Sequence, residues 1–260
     1  MRRLRTALEL PDGLERRRAR YLLGLDFDGT LAPVARRPVL AQLPPYNRRL
    51  LLRLTKLRRA RVAIVSGRAL IDVRDKVGVE GLIYVGNHGL EIQDPSGRVW
   101  VHPQARRTEP LMRRLASRLA KEVRDYPGVF VEDKGITLSV HYRLLPRDVS
   151  AAPLHRRIRL LVAGARHRVR LTTGKKVWEI RPKLKWNKGY AMRRLLGVKV
   201  GDWIPVLVGD DNTDEEGFKS LGPEAITVRV GYKKDSNARF RLKNQRQVAP
   251  MLEYFLREWR

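Results

Sequence analysis

Five short runs along the chain are apolar on both faces: YLLGLD (21–26), RVAIVS (61–66), GLIYVG (81–86), IPVLVGD (204–210) and AITVRV (225–230). Strands without a polar face belong to a parallel sheet covered by helices on both sides. Between the first two lies PPYNRRLLLRLTKLRR, with Leu50, Leu54 and Leu57 on one helical face and arginines opposite. Pro44 and Pro45 suit its start, where a missing N–H costs nothing. RALIDVRDKVG and the segment from Lys188 to Leu196 read as further amphipathic helices. This βαβ alternation predicts an α/β fold, a doubly wound Rossmann-like core around a parallel sheet.

The pattern changes after the third strand. IQDPSGRVWV (92–101) reads as a hairpin about Pro95-Ser96-Gly97. A helix carrying Leu111, Leu115 and Leu119 follows, then the alternating ITLSVHYR (136–143). A second helix carries Leu154, Ile158 and Leu161, and RHRVRLTTGKKVWEIRP (166–182) reads as a hairpin turning near Gly174. These elements predict an inserted, smaller α+β cap domain over 104–182, enough chain for an independent domain. The core then comprises 1–103 and 183–260, with 1–20 a basic extension.

Composition narrows the class. The chain has 260 residues, 43% of them hydrophobic, and no apolar run near the ~20 residues of a membrane span. A soluble, non-membrane protein is expected. The N-terminal stretch lacks an apolar signal core and carries Glu9, Asp12 and Glu15, so a secretory peptide is not expected and a cytoplasmic setting is. Absent cysteine excludes disulfides and thiolate metal sites. The formal charge is +28, from 55 Lys plus Arg against 27 Asp plus Glu. That excess invites a nucleic-acid reading, but the basic residues are dispersed and form no RNA-binding signature or zinc-finger spacing. Nonspecific attraction of polyanions is expected; a specific nucleic-acid partner is not.

Ligands of such a sheet bind beyond the carboxyl ends of its strands. There the first strand offers Asp26-Phe27-Asp28-Gly29-Thr30, the second Ser66-Gly67-Arg68, and the fourth Gly209-Asp210-Asp211-Asn212-Thr213-Asp214. Lys188 opens the helix leading into that fourth strand. Each cluster alone could be a turn or a helix cap. Together they bring five aspartates, two hydroxyls and a lysine to one edge. Crowded carboxylates need a cation among them, and Mg²⁺ suits carboxylates, water and phosphate oxygens. Lys188 and the backbone N–H groups of Asp-Gly-Thr and Ser-Gly-Arg would complete a phosphate pocket.

LDFDGTLAP, VSGR, the lysine of NKG and GDDNTD resemble, in order and spacing, the four signature segments of the haloacid dehalogenase superfamily of phosphotransferases. The resemblance implies an aspartyl-phosphate mechanism. Asp26 would be the nucleophile. Asp28 would protonate the leaving oxygen and later activate water, aided by a pKa raised by carboxylate neighbours. Gly29, Thr30, Ser66, Gly67 and Lys188 would hold the phosphoryl group with Asp28. Mg²⁺ would be held by Asp26, the Asp28 carbonyl and Asp210, with Asp211 and Asp214 as further or outer ligands.

Residues beyond the core narrow the family. GNHGLEI (86–92), EDKGITLSVHYR (132–143), GKKVWEIRP (174–182) and KWNKGYA (185–191) are similar to segments of trehalose-6-phosphate phosphatases. That family's reaction yields trehalose and phosphate, so the partner implied is a phosphorylated disaccharide. Its sugar-reading positions would be Asn87, His88, Glu91, Lys134, His141, Arg143, Lys175, Glu179 and Arg181. Alternatives are another sugar phosphate (sucrose phosphate, mannosyl-phosphoglycerate or a hexose phosphate) and, outside catalysis, a basic nucleic-acid-binding module. Asn212, where relatives often carry an apolar residue, and the high basic charge depart from the family pattern.

Overall fold

A computed structural model describes residues 5–6, 19–197 and 203–259. The expected N-terminal extension lies, apart from Arg5, Thr6, Ala19 and Arg20, outside the described residues. The strands up to the insert are β1 (Arg5–Thr6), β2 (Arg20–Leu25), β3 (Ala60–Val65), β4 (Ile83–Gly86), β5 (Glu91–Gln93) and β6 (Val99–Val101). β7 (Phe130–Asp133), β8 (Leu138–His141), β9 (Val169–Gly174) and β10 (Val177–Pro182) follow, then β11 (Trp203–Gly209), β12 (Ile226–Val230) and β13 (Phe240–Leu242). The helices are α1 (Pro45–Leu54), α2 (Leu70–Val77), α3 (Pro103–Arg106), α4 (Glu109–Glu122), α5 (Ala152–Ala163), α6 (Lys188–Leu196), α7 (Asn212–Leu221) and α8 (Val248–Glu258). None is long and apolar enough to cross a membrane.

The described residues fall into two compact units, one within Met1–Trp100 and Trp186–Arg260, the other within Val101–Lys185. The first is built on a nine-stranded sheet ordered β1-β13-β12-β11-β2-β3-β4-β5-β6. From β13 to β4 every pairing is parallel, and β5 turns back antiparallel on β4. Alternate residues of β2 feed two cores. Leu23 and Leu25 pack with α1, α2 and α8 side chains, whereas Leu22 packs with Met192 of α6 and Phe218 of α7. Burial on both faces is why these strands read as continuous apolar runs. The chain winds outward from β2 through β3 and β4, and outward the other way from β11. The order therefore reverses between β2 and β11, the place where doubly wound sheets bind ligands.

The second unit pairs a four-stranded antiparallel sheet, β7-β8-β10-β9, with α4 and α5. Leu138, Val140, Trp178 and Ile180 point to the helices and meet Met112, Leu115, Leu119, Leu154 and Ile158. The pattern of ITLSVHYR anticipates β8. It does not announce β7, a short strand whose FVED sequence has only two apolar residues. On α5 it is Val162 that is buried; Leu161 is only partly so.

Candidate active site

Register and two close approaches build the site. Leu25 lies beside Val208 in adjacent parallel strands, and Asp26 N–H donates to the Val208 carbonyl at 2.9 Å. Asp26 and Asp210 thus leave the sheet as neighbours on either side of the switch point. Gly29 has φ +83, and a Cβ there would lie 2.4 Å from an Asp210 oxygen, so only glycine fits both the turn and the space. A Cβ on Gly209 would sit 2.0 Å from the Asp214 carboxyl carbon, so this glycine admits Asp214.

Lys188 is the first residue of α6, whose N-terminus is capped by the Asn187 side chain on the Gly189 and Tyr190 N–H groups. Its ammonium is buried and donates to Asp26 Oδ1 and Asp214 Oδ1, each at 2.8 Å. Asp214 Oδ2 accepts from the Asp210 and Asp211 N–H groups, both at 3.0 Å. Carboxylate oxygens of Asp26, Asp210 and Asp214 all lie within 4.8 Å of one another, a set able to hold a metal ion.

The electrostatics of this corner are unbalanced. Burial pushes the Asp26 carboxyl well above the usual range; Lys188 opposes the rise, and Asp214, Asp210 and Asp211 add to it. Burial likewise lifts Asp214 to about 7 against the pull of Lys188. Burial alone would lower Lys188, but Asp214, Asp26 and Asp211 outweigh it and keep the ammonium charged. One ammonium thus faces several buried carboxylates, and an all-oxygen donor set with surplus negative charge fits a hard divalent cation.

Asp211 is committed elsewhere. Its Oδ1 accepts from the Thr213 N–H and hydroxyl, each at 2.7 Å, and from the Asp214 N–H at 3.1 Å, closing a capping box at the start of α7. Desolvation would raise its pKa, but Lys188, the Thr213 hydrogen bond and His88 hold it down at about 2.

Around the cluster, Ser66 is buried at the end of β3, and its Oγ accepts from the Arg68 N–H at 3.2 Å. Thr30 Oγ1 is buried without a hydrogen-bond partner among the described residues. Asp28 differs from the sequence-based expectation. Its nearest charged partner is the Arg68 guanidinium, which takes both carboxylate oxygens, rather than other carboxylates. The sequence gives Arg68 a role only through its backbone in Ser-Gly-Arg; the part played by its side chain is visible only in the structure.

The sugar-reading candidates fall into two sets. Asn87, His88 and Glu91 belong to the first unit. Asn87 and His88 are buried, and the Asn87 amide donates to Glu91 Oε2 at 2.6 Å. The others belong to the second unit. In its sheet Glu132, Ser139, Glu179 and Thr172 stand opposite one another and so share the face turned from α4 and α5. Lys134 Nζ lies 3.7 Å from Glu179 and 3.9 Å from Glu132, and Glu132 meets His141 Nε2 at 2.7 Å. Arg181 is buried, 4.0 Å from Glu179. Arg143 is exposed and donates to the Lys175 carbonyl at 2.9 Å. Glu132 is the member missed from sequence; its spacing of two from Lys134 was the available signal.

A doubly wound core with an aspartate–lysine cluster at its switch point and an α+β unit inserted between β6 and α6 is the architecture of the haloacid dehalogenase superfamily. Within it, the chain belongs to the trehalose-phosphatase family, whose profile matches residues 24–246. It is 34% identical over 266 residues to the trehalose-phosphate phosphatase of Mycobacterium tuberculosis (strain ATCC 25618 / H37Rv), covering 98% of this chain and 65% of that protein. To the Mycobacterium avium (strain 104) protein of the same name it is 36% identical over 223 residues, covering 82% of this chain and 55% of that one. The chain therefore spans about two thirds or less of the length of these relatives. Among solved structures, the C-terminal domain of C. albicans trehalose-6-phosphate phosphatase superposes with TM-score 0.80 at 23% identity, over 98% of each chain. At that identity the likeness is one of fold. Aspergillus fumigatus trehalose-6-phosphate phosphatase superposes with TM-score 0.63 at 25% identity, over 93% of this chain and 94% of that one.

Proposed function

We propose that the chain is a Mg²⁺-dependent phosphatase that hydrolyses trehalose 6-phosphate to trehalose and phosphate, in a cytoplasmic setting. One observation carries the chemistry: the Asp26 carboxylate, held at 2.8 Å by buried Lys188, stands beside Asp210 at the switch point of the sheet. The family and the printed names of its members support the sugar.

In this reading an Asp26 oxygen attacks phosphorus, and the phosphorus bond to the sugar oxygen breaks as an aspartyl phosphate forms. Asp28 gives the leaving oxygen its proton, then takes one from the water that cleaves the aspartyl phosphate. Phosphoryl transfer depends mainly on position and charge neutralisation. Lys188, the Thr30 and Ser66 hydroxyls and the Gly67 N–H provide both, whereas the Gly29 N–H, expected from sequence to join them, is given to the Ala32 carbonyl at 2.7 Å. Asp26, Asp210 and the Asp28 carbonyl would hold Mg²⁺, which when bound offsets negative charge on the phosphoryl oxygens. Asp214, with both oxygens engaged, orients Lys188 and the 210–211 backbone, and Asp211 fixes the start of α7. Asn87, His88, Glu91, Lys134, His141, Arg143, Lys175, Glu179 and Arg181 are the groups proposed to read sugar hydroxyls.

Phosphate release from a panel of phosphorylated sugars, with Mg²⁺ and with EDTA, tests this. Trehalose 6-phosphate should be turned over fastest, and only with the metal. Equal rates on sucrose phosphate and simple hexose phosphates would sink the disaccharide claim.

A further inference from the structure

Two buried side chains of opposite charge, neither used by the chemistry proposed above, meet behind the Asp210–Asp211 turn. Arg229 lies on β12 beside Gly209, the last residue of β11. Its Nη1 donates to the Asp211 carbonyl at 2.7 Å and lies 3.4 Å from Glu215 Oε1. From its own helix that carbonyl accepts only a long bond, 3.4 Å, from the Glu215 N–H. Glu215 stands in the first turn of α7, and its remaining bonds go to the segment after β12. Oε1 accepts from the Ser236 hydroxyl at 2.8 Å, and Oε2 from the Asn237 N–H at 2.6 Å and the Asn237 amide at 3.3 Å.

We infer that Arg229 and Glu215 are positioning residues for Mg²⁺ binding: together they fix the Asp211 peptide and, through it, the place of the Asp210 carboxylate. The turn is held from two sides. Asp214 Oδ2 takes the Asp210 and Asp211 N–H groups, both at 3.0 Å, and Arg229 takes the Asp211 carbonyl. A turn clamped at its donors and at its acceptor keeps a crowded carboxylate from swinging away before a cation arrives. Stability alone does not account for the pair. The Arg229 side chain is 8% exposed and that of Glu215 5%, so both ions are desolvated, yet their contact is long at 3.4 Å. Arg229 Nε is buried without a hydrogen-bond partner among the described residues. Replacing a buried ion pair by apolar side chains of similar volume is often neutral for stability. What an apolar side chain cannot do is bond the Asp211 carbonyl, and partners that orient metal ligands govern metal affinity.

The inference rests on the reading of Asp210 as a metal ligand, and its test separates the two. Mg²⁺ is titrated calorimetrically, without substrate, into the wild type, Arg229→Met/Glu215→Gln and Arg229→Lys, and the Tm and circular dichroism of each are taken in EDTA. The double variant removes one charge of each sign, so the net charge facing Mg²⁺ is unchanged and a loss of affinity reports geometry. Its Kd should rise by about tenfold to a hundredfold, the usual effect of losing a group that orients a metal ligand. Arg229→Lys keeps the charge but not the planar fork; it should weaken binding less, and it alone decides the matter should the double variant not fold. Lys233→Ala is the control, because Lys233 bonds Asn212 Oδ1 at 2.7 Å in an exposed contact outside the buried pair; it should not weaken Mg²⁺ binding. A lowered Tm in EDTA with the wild-type Kd would make the pair purely structural and overturn the inference, as would equal weakening by Lys233→Ala. No saturable Mg²⁺ binding by the wild type would overturn the metal reading and the inference with it.

Discussion

Arg68 grips both carboxylate oxygens of Asp28, Nε to Oδ2 at 2.6 Å and Nη2 to Oδ1 at 2.8 Å. Its remaining donors reach Asp72 Oδ2 at 2.5 Å and the Pro38 carbonyl at 2.9 Å, and its guanidinium lies over the Phe27 ring. A fork anchored on three sides sets the orientation of the residue proposed to handle the proton. Lysine offers one point charge and cannot hold two oxygens in a plane. Arg68→Lys should therefore lower kcat by about tenfold to a hundredfold, the usual result of misplacing a catalytic group by an ångström. KM should move less. Steady-state kinetics checks this, and an unchanged kcat refutes it.

Lys188 is the only ammonium hydrogen-bonded to Asp26 and Asp214 among the described residues. Lys188→Met leaves two buried carboxyls without their counter-charge and should cost about 3–5 kcal/mol near neutral pH. The pH dependence has a definite sign. A carboxyl whose folded pKa lies above its unfolded value holds more protons folded, so stability falls as pH rises through that interval. Asp214 already spans 3.8 to about 7 in the wild type, and loss of Lys188 raises it further. Urea unfolding of the variant should thus show more stability at pH 5 than at pH 8, with a steeper fall than in the wild type.

Much of this site was legible because strand ends announce themselves: an apolar run closing in Asp26 or Asp210 marks both the sheet edge and the chemistry. What stayed hidden depends on three-dimensional partners. Asp211 and Asp214 differ little in sequence context, yet one caps a helix and the other braces Lys188, a division set by the Lys188 ammonium 26 residues away for Asp214 and by the neighbouring Thr213 and Asp214 N–H groups for Asp211. Likewise the Arg68–Asp28 pair joins residues 40 apart in the chain. β13 and α8 escaped notice because β13 is three residues long and α8 lies outside the motif-bearing stretches.

Asp211→Ala separates the cap from the metal. Loss of an N-cap typically costs about 1 kcal/mol. Because the folded pKa is depressed from 3.8 to about 2, the stabilisation from this carboxylate is present above about pH 4 and disappears as pH falls towards 2. The stability difference between wild type and variant should shrink over that interval. Above pH 4 the variant should be less stable yet retain the wild-type dependence of activity on Mg²⁺ concentration. A large rise in the Mg²⁺ requirement would instead make Asp211 a ligand.

Asp210 should behave in the opposite way. In the wild type, added Mg²⁺ is expected to raise Tm in proportion to the logarithm of its concentration above Kd, as for any ligand bound only to the folded state. Asp210→Asn removes one negative oxygen donor from the three-carboxylate set. It should nearly abolish that Tm shift while lessening the carboxylate repulsion in the metal-free protein. Differential scanning fluorimetry across a Mg²⁺ series checks both, and a wild-type shift in the variant counts against Asp210 as ligand.

Glu179 tests the proposed division between chemistry and recognition. Its carboxylate stands 3.7 Å from Lys134 and 4.0 Å from Arg181 on the face of the cap sheet turned from the helices. There it can accept from two neighbouring sugar hydroxyls at once. Glu179→Gln keeps the shape, removes the charge and converts one acceptor into a donor. A site built to pair a substrate hydroxyl discriminates strongly once the pairing is wrong. kcat/KM should therefore fall at least tenfold more on trehalose 6-phosphate than on p-nitrophenyl phosphate, which has no sugar to read. A parallel fall on both esters would mean that Glu179 supports the fold or the phosphoryl chemistry instead. If neither rate changed, its contacts with Lys134 and Arg181 would be no more than an ion-pair network of the cap.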